Sequence, residues 1–120
     1  MTKTTYRIFT IGWSLIILFL TLFPDAGGDK FWLLEIQGMD KVAHFGLFFI
    51  LSFLSYLSFY VSHHKNVIKI TIGYGVLLAC ITEFGQLYVE GRNGDVYDLA
   101  ADTLGLLIGL FVVSNINLKK

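Results

Sequence analysis

The sequence predicts an all-α integral membrane protein: a single domain over residues 1–120, folded as a four-helix bundle with both termini on the cytoplasmic side. Three observations predict it. Four apolar stretches can be drawn, at about residues 6–23, 42–62, 67–89 and 96–114. Each approaches the roughly 20 apolar residues that a spanning helix needs. The polar segments around them alternate in charge. Small and polar residues recur at helical spacing within the later three stretches.

The charge pattern orients the bundle. Lys3 and Arg7 precede the first stretch, Lys65 and Lys69 follow the second, and Lys119 and Lys120 end the chain, so six of nine Lys/Arg fall on one side with no acid among them. Basic residues of short loops stay in the cytoplasm. The acidic residues (Asp25, Asp29, Glu35, Asp40, Glu83, Glu90, Asp95, Asp98 and Asp102) then lie outside or just within the membrane at the outer level. A hydrophobic content of 55% with 16% aromatics excludes a disordered chain, and so little sequence lies outside the spans that no soluble domain carries the function. No basic stripe or nucleic-acid motif is present, which sets nucleic acid aside as a partner; the bilayer itself is the expected one.

The first stretch has no ionisable residue between Ile8 and Phe23 and reads as an anchor or packing helix. Its basic start and the small residues Ala26, Gly27 and Gly28 also suit a cleaved signal peptide, against which Pro24 and the length of the apolar core argue. The following loop carries Phe31, Trp32, Leu33, Leu34 and Ile36 between charged flanks, as an interfacial element or a lid would. The second stretch opens with Asp40, Lys41 and His44, and the same face continues through Leu51, Ser55, Ser58 and Ser62. His63 and His64 beside Lys65 read as a solvated or headgroup-facing turn. The third stretch places Gly75, Ala79, Glu83 and Gln86 on one arc, with lone Cys80 as a packing residue. In the fourth, Asp95, Asp98, Asp102, Gly105 and Gly109 follow one another at helical spacing on one face. Gly105 and Gly109 form the small-xxx-small pattern that lets helices approach closely.

Three helices thus bring polar residues to one depth: Asp40, Lys41 and His44; Glu83 and Gln86; Arg92, Asp95, Asp98 and Asp102. A carboxylate stripe facing lipid is too costly, so the face points into the bundle or a wet cavity. Five carboxylates against Lys41 and Arg92 leave an excess of acid that a proton or a cation must balance. Three uses compete. A carboxylate and a histidine could perform acid–base chemistry on a headgroup. His44, Glu83 and Asp98 or Asp102 offer a nitrogen and oxygen shell for a metal, although no tight ligand spacing supports one and no metal is assigned. The bland use is an interhelical hydrogen-bond network.

The run Asp40-Lys41-Val42-Ala43-His44-Phe45 resembles the opening signature of the VanZ-like family of small bacterial membrane proteins. Glu83-Phe84-Gly85-Gln86 resembles that family's ExxQ element, and Arg92 with Asp95, Asp98 and Gly105 its closing pattern, so the likeness covers about residues 40–110. One position departs: family members commonly carry asparagine where this chain has Asp102. The resemblance implies a multi-pass protein of the bacterial cytoplasmic (inner) membrane, whose namesake is linked to resistance to the glycopeptide antibiotic teicoplanin. The residues and the resemblance together give the first reading, an outward polar site that acts on or binds a cell-envelope lipid or lipid-linked precursor. On this reading His44, Glu83 and Asp98 are the catalytic candidates. Asp40, Lys41, Gln86, Arg92, Asp95 and Asp102 are the substrate-binding ones, with Asp98 orienting or pairing with Arg92 and Lys41 or Arg92 holding an anionic headgroup. Gly105 and Gly109 serve helix packing. A small transporter using the intramembrane acids and an assembly partner for envelope enzymes are the competing readings. Cofactor, oligomeric state and substrate are left open.

Overall fold

A computed structural model describes residues 2–22, 39–88 and 96–116, with only the backbone of residues 39 and 40. It contains four helices, α1 (Lys3–Leu22), α2 (Met39–Val61), α3 (Val67–Leu87) and α4 (Val96–Ser114). All four are long and apolar enough to cross a membrane. The interfacial or lid segment around Phe31 to Ile36 lies outside the described residues, as do Arg92 and Asp95.

The ends of these helices have local causes. α1 starts at Lys3 rather than near residue 6 because the Thr2 hydroxyl accepts the Thr5 N–H at 3.2 Å, a side-chain cap for an otherwise orphaned donor. α2 closes in a Schellman turn: the His64 N–H reaches the Phe59 carbonyl at 3.2 Å and the His63 N–H the Tyr60 carbonyl at 3.1 Å. His63 takes φ 59°, a left-handed conformation that glycine usually supplies at this position. The His64 ring packs edge-on against Phe59 with centroids 5.5 Å apart, the side-chain contact that accompanies such turns.

Among the described residues α2 and α3 each pack against all three other helices, and no Cα of α1 comes within 8 Å of a Cα of α4. Buried Ile17, Phe48, Leu51, Leu78, Ala79 and Leu106 form the central layer, and Tyr56, Leu110 and Val113 a second layer toward the basic end. Ile8, Ile11, Leu15 and Phe19 of α1, Leu77, Ile81 and Phe84 of α3, and Leu104, Leu107 and Phe111 of α4 point outward. Lipid is as apolar as these side chains, so exposure there costs nothing, and burial does not drive the helices together.

Close approach and polar links hold the bundle instead. A Cβ on Gly105 would strike the Phe45 carbonyl oxygen, and one on Gly109 would meet the Ser52 hydroxyl and the Phe49 carbonyl, so glycine sets the α2–α4 distance. Trp13 Nε1–H donates to the Leu47 carbonyl at 2.9 Å, and Ser14 bonds the Tyr74 hydroxyl. Most buried hydroxyls turn back onto their own helices. Thr10 donates to Tyr6 O, Thr21 to Ile17 O, Ser55 to Leu51 O and Thr82 to Ala79 O, at 2.6 to 2.8 Å. Satisfied in this way, a serine or threonine can face a dry seam without a partner on the next helix.

Candidate functional site

The antiparallel order of the helices gathers the start of α2, the last turns of α3 and the start of α4 at one end of the bundle. The other end carries Lys3, Arg7 and the α2–α3 turn, where Arg7 Nη2–H donates to the Ser62 hydroxyl at 3.3 Å. The sequence expectation of a polar level opposite a basic one is therefore met within the described residues.

His44 is the centre of the polar level. It stands one turn into α2, one residue before Phe45, whose backbone abuts Gly105. The glycine lets α4 come close enough for its acidic face to reach the imidazole. His44 Nδ1 lies 2.7 Å from Asp102 Oδ1, a buried hydrogen bond between residues 58 apart in the chain. On the other side of the ring, Nε2 lies 3.7 Å from Asp98 Oδ2, an electrostatic contact beyond hydrogen-bond length. Asp98 and Asp102 are one turn apart on α4, and that spacing brackets the imidazole from both sides.

Asp98 is held in turn by Lys41, whose Nζ lies 2.8 Å from Asp98 Oδ1. The Lys41 side chain is 34% exposed and the Asp98 side chain 9%. The lysine thus stands at the rim and the aspartate inside. The sequence offered Arg92 as the partner of Asp98; among the described residues the partner is Lys41, one helical turn before His44 on the same face. Arg92, Asp95 and the Asp40 side chain lie outside the described residues.

From α3, Glu83 joins the group: one ligand-type atom each from His44, Glu83 and Asp102 lie within 4.8 Å of one another. The sequence carries no metal motif, yet the fold brings a nitrogen and two carboxylates from three helices into this arrangement. Asp102, fully buried, has its second oxygen, Oδ2, without a hydrogen-bond partner among the described residues.

Gln86 was expected beside these residues as a binding group. Its amide is instead committed to α1, with Nε2–H donating to the Thr21 carbonyl at 3.0 Å. It ties α3 to α1, while its carbonyl oxygen is buried without a partner among the described residues. The contribution of α1 is what sequence reasoning missed. Thr10, Ser14, Ile17 and Thr21 line its buried face at helical spacing, a period visible in the sequence but masked by the overall apolar character of the stretch. Gly105 and Gly109 lie where an added Cβ would meet the backbone of α2.

A proton, a cation or an anionic ligand can all be held here. The imidazole offers a nitrogen to either carboxylate, the carboxylates accept, and Lys41 supplies a fixed positive charge at the opening.

The sequence profile of the VanZ/LLP1 family matches residues 2–117, nearly the whole chain. An uncharacterized protein of Schizosaccharomyces pombe is 32% identical over 73 residues, which are 61% of this chain and 45% of that protein. The match thus spans about half the length of the relative. No solved structure matches. The profile runs from the first helix through the last, across every residue of the His44 cluster, and the chain belongs to the VanZ/LLP1 family.

Proposed function

We propose that the protein binds, and acts on, the polar headgroup of a membrane lipid or lipid-linked envelope precursor at the end of the bundle that carries His44. The observation that carries this reading is the bracketing of a buried imidazole by Asp102 and Asp98, with Lys41 half-exposed at the rim. A buried imidazole between two carboxylates is suited to holding and releasing a proton. A lysine at the mouth suits the negative charge of a phosphate-bearing headgroup. His44, Glu83 and Asp98 are the candidate reacting or orienting groups, and Lys41 the anion contact.

The site opens on the outer face in this reading, because the opposite end carries Lys3, Arg7, Lys65 and Lys69. Reporter fusions after residue 64 and after residue 116 are expected to report the cytoplasm, and one within residues 23–38 the exterior. In a bacterial cytoplasmic membrane, an outward headgroup site would meet envelope precursors, the setting in which teicoplanin acts. Fungi build no peptidoglycan, so the fission-yeast relative favours a lipid headgroup over a feature peculiar to peptidoglycan.

Transport is the less favoured reading. Between the His44 cluster and the basic end, the described parts of the helices place no carboxylate, lysine, arginine or histidine, and Phe48, Leu51 and Leu106 fill the layer below.

The test is teicoplanin and vancomycin susceptibility of a sensitive Gram-positive host, alongside a lipid profile of its membranes. Wild-type protein is compared with His44→Ala, Glu83→Ala and Asp98→Ala at matched membrane abundance. Selective protection or a changed lipid profile, lost in the variants, supports the reading. Unchanged phenotypes across all three variants would remove it.

A further inference from the structure

We propose that His44, Glu83 and Asp102 form a site for a divalent transition-metal ion of the Zn2+ or Mn2+ type. The proposal rests on the headgroup reading above and names what engages the headgroup's phosphate oxygens.

The first support is convergence from three helices. The three donor atoms lie within 4.8 Å of one another, and α2, α3 and α4 each contribute one. Small side-chain rotations bring such a triangle to the roughly 2.0–2.2 Å bonds that nitrogen and oxygen donors make to zinc.

A second and independent support is Asp102 Oδ2. It belongs to a side chain with no exposed surface and finds no hydrogen-bond donor among the described residues. A buried carboxylate oxygen lacking a donor is strongly disfavoured, and a bound cation removes that penalty.

The outer contacts also fit. With the ion on Nδ1, a neutral imidazole carries its single proton on Nε2, which faces Asp98 Oδ2 3.7 Å away. A carboxylate on the far nitrogen of a ligating histidine fixes its tautomer and ring orientation. Lys41 holds that carboxylate, so Asp98 and Lys41 are positioning residues.

The donor set selects the kind of ion. An imidazole with two carboxylates suits zinc or manganese, where magnesium and calcium prefer oxygen alone and copper(I) prefers sulfur. Three protein ligands leave coordination positions open, and those positions would take oxygens of a phosphate-bearing headgroup.

The test uses the full-length, untagged chain in detergent, stripped with a chelator and then equilibrated with Zn2+ or with Mn2+. Metal content is measured by mass spectrometry, and the manganese form by electron paramagnetic resonance for nitrogen coupling. Wild type is expected to hold one ion per chain. Asp102→Asn and Glu83→Gln are expected to bind at least about 100-fold more weakly, and Asp98→Asn about 10- to 100-fold more weakly. The nitrogen coupling should vanish in His44→Gln. Circular dichroism and elution volume accompany each variant, and the wild-type stoichiometry decides the matter even if a variant fails to fold. Stripped wild type that takes up neither ion stoichiometrically overturns the proposal, as does undiminished binding by well-folded Asp102→Asn.

The two readings fail separately. A metal-free protein whose lipid phenotype still depends on His44 overturns the metal site alone. Stoichiometric binding lost in the variants, with no lipid phenotype for His44→Ala, sustains the metal site and removes the lipid reading.

Discussion

Replacing Gly105 by alanine probes the approach of α4 to α2. An ideal Cβ there would strike the Phe45 carbonyl oxygen and lie 2.9 Å from its carbonyl carbon and 3.0 Å from its Cα. Non-bonded carbon atoms sit best at about 3.5–4.0 Å, so the helices must part by roughly half an ångström to one ångström. The obstructing atoms are backbone and cannot swing aside, which places the cost at the upper end of the about 1–3 kcal/mol typical of overpacking. Alanine returns at most about 1 kcal/mol through helix propensity. The expected net loss is therefore about 2 kcal/mol. Gly73→Ala is the control, because a Cβ there meets nothing within 4 Å, and the same substitution is expected to be neutral or mildly stabilising. Equilibrium unfolding in mixed detergent micelles, followed by tryptophan fluorescence and circular dichroism, compares the two. Stabilities that agree to within about 0.5 kcal/mol would refute the close approach at Phe45. A second readout follows from position. Gly105 lies three residues beyond Asp102 and Phe45 directly after His44, so parting the helices lengthens the 2.7 Å contact and should weaken the lipid phenotype of an otherwise folded protein.

Lys41→Met leaves the Asp98 carboxylate without its partner; because the lysine is partly exposed, the expected cost is about 1–3 kcal/mol, less than for a fully buried pair. Adding Asp98→Asn should restore most of that stability in the same unfolding assay, and a double variant no more stable than Lys41→Met would show that the pair is not coupled. His63→Gly relieves a left-handed backbone at the end of α2 and should raise stability by about 0.5–1 kcal/mol, since the 1–2 kcal/mol strain is partly offset by the freedom of glycine in the unfolded chain. A destabilised His63→Gly would mean that the imidazole makes contacts worth more than the strain.

The sequence made α4 legible because aspartate and glycine are rare within apolar stretches, and their spacing of three and four fixed a face without further information. His44, Glu83 and Asp102 were readable as one level for the same reason: each lies near a helix end that antiparallel packing brings together. What the residues could not reveal was pairing. Asp98 had two cations within reach in sequence terms; Lys41 pairs with it, and Arg92 lies outside the described residues. Gln86 looked like a member of the site, but its amide serves the Thr21 carbonyl, a backbone acceptor that carries no sequence signature. The inward face of α1 escaped notice because its threonines and serine, mostly bonded to their own helix, leave no charged or patterned mark. Spacing therefore located the faces, and only the fold assigned the partners.

The place of α4 as the last of the four helices bears on how the protein is made. Synthesis from the N-terminus yields α1, α2 and α3 before the helix that carries Asp98 and Asp102. Until then Lys41 and His44 lack these two counter-charges, and Glu83 of α3 is the described carboxylate already beside His44. The last helix to emerge completes the electrostatics of the second. A chain halted before α4 would carry Lys41 without Asp98 and His44 without Asp102. Synthesis of α4 and completion of the site thus become one event.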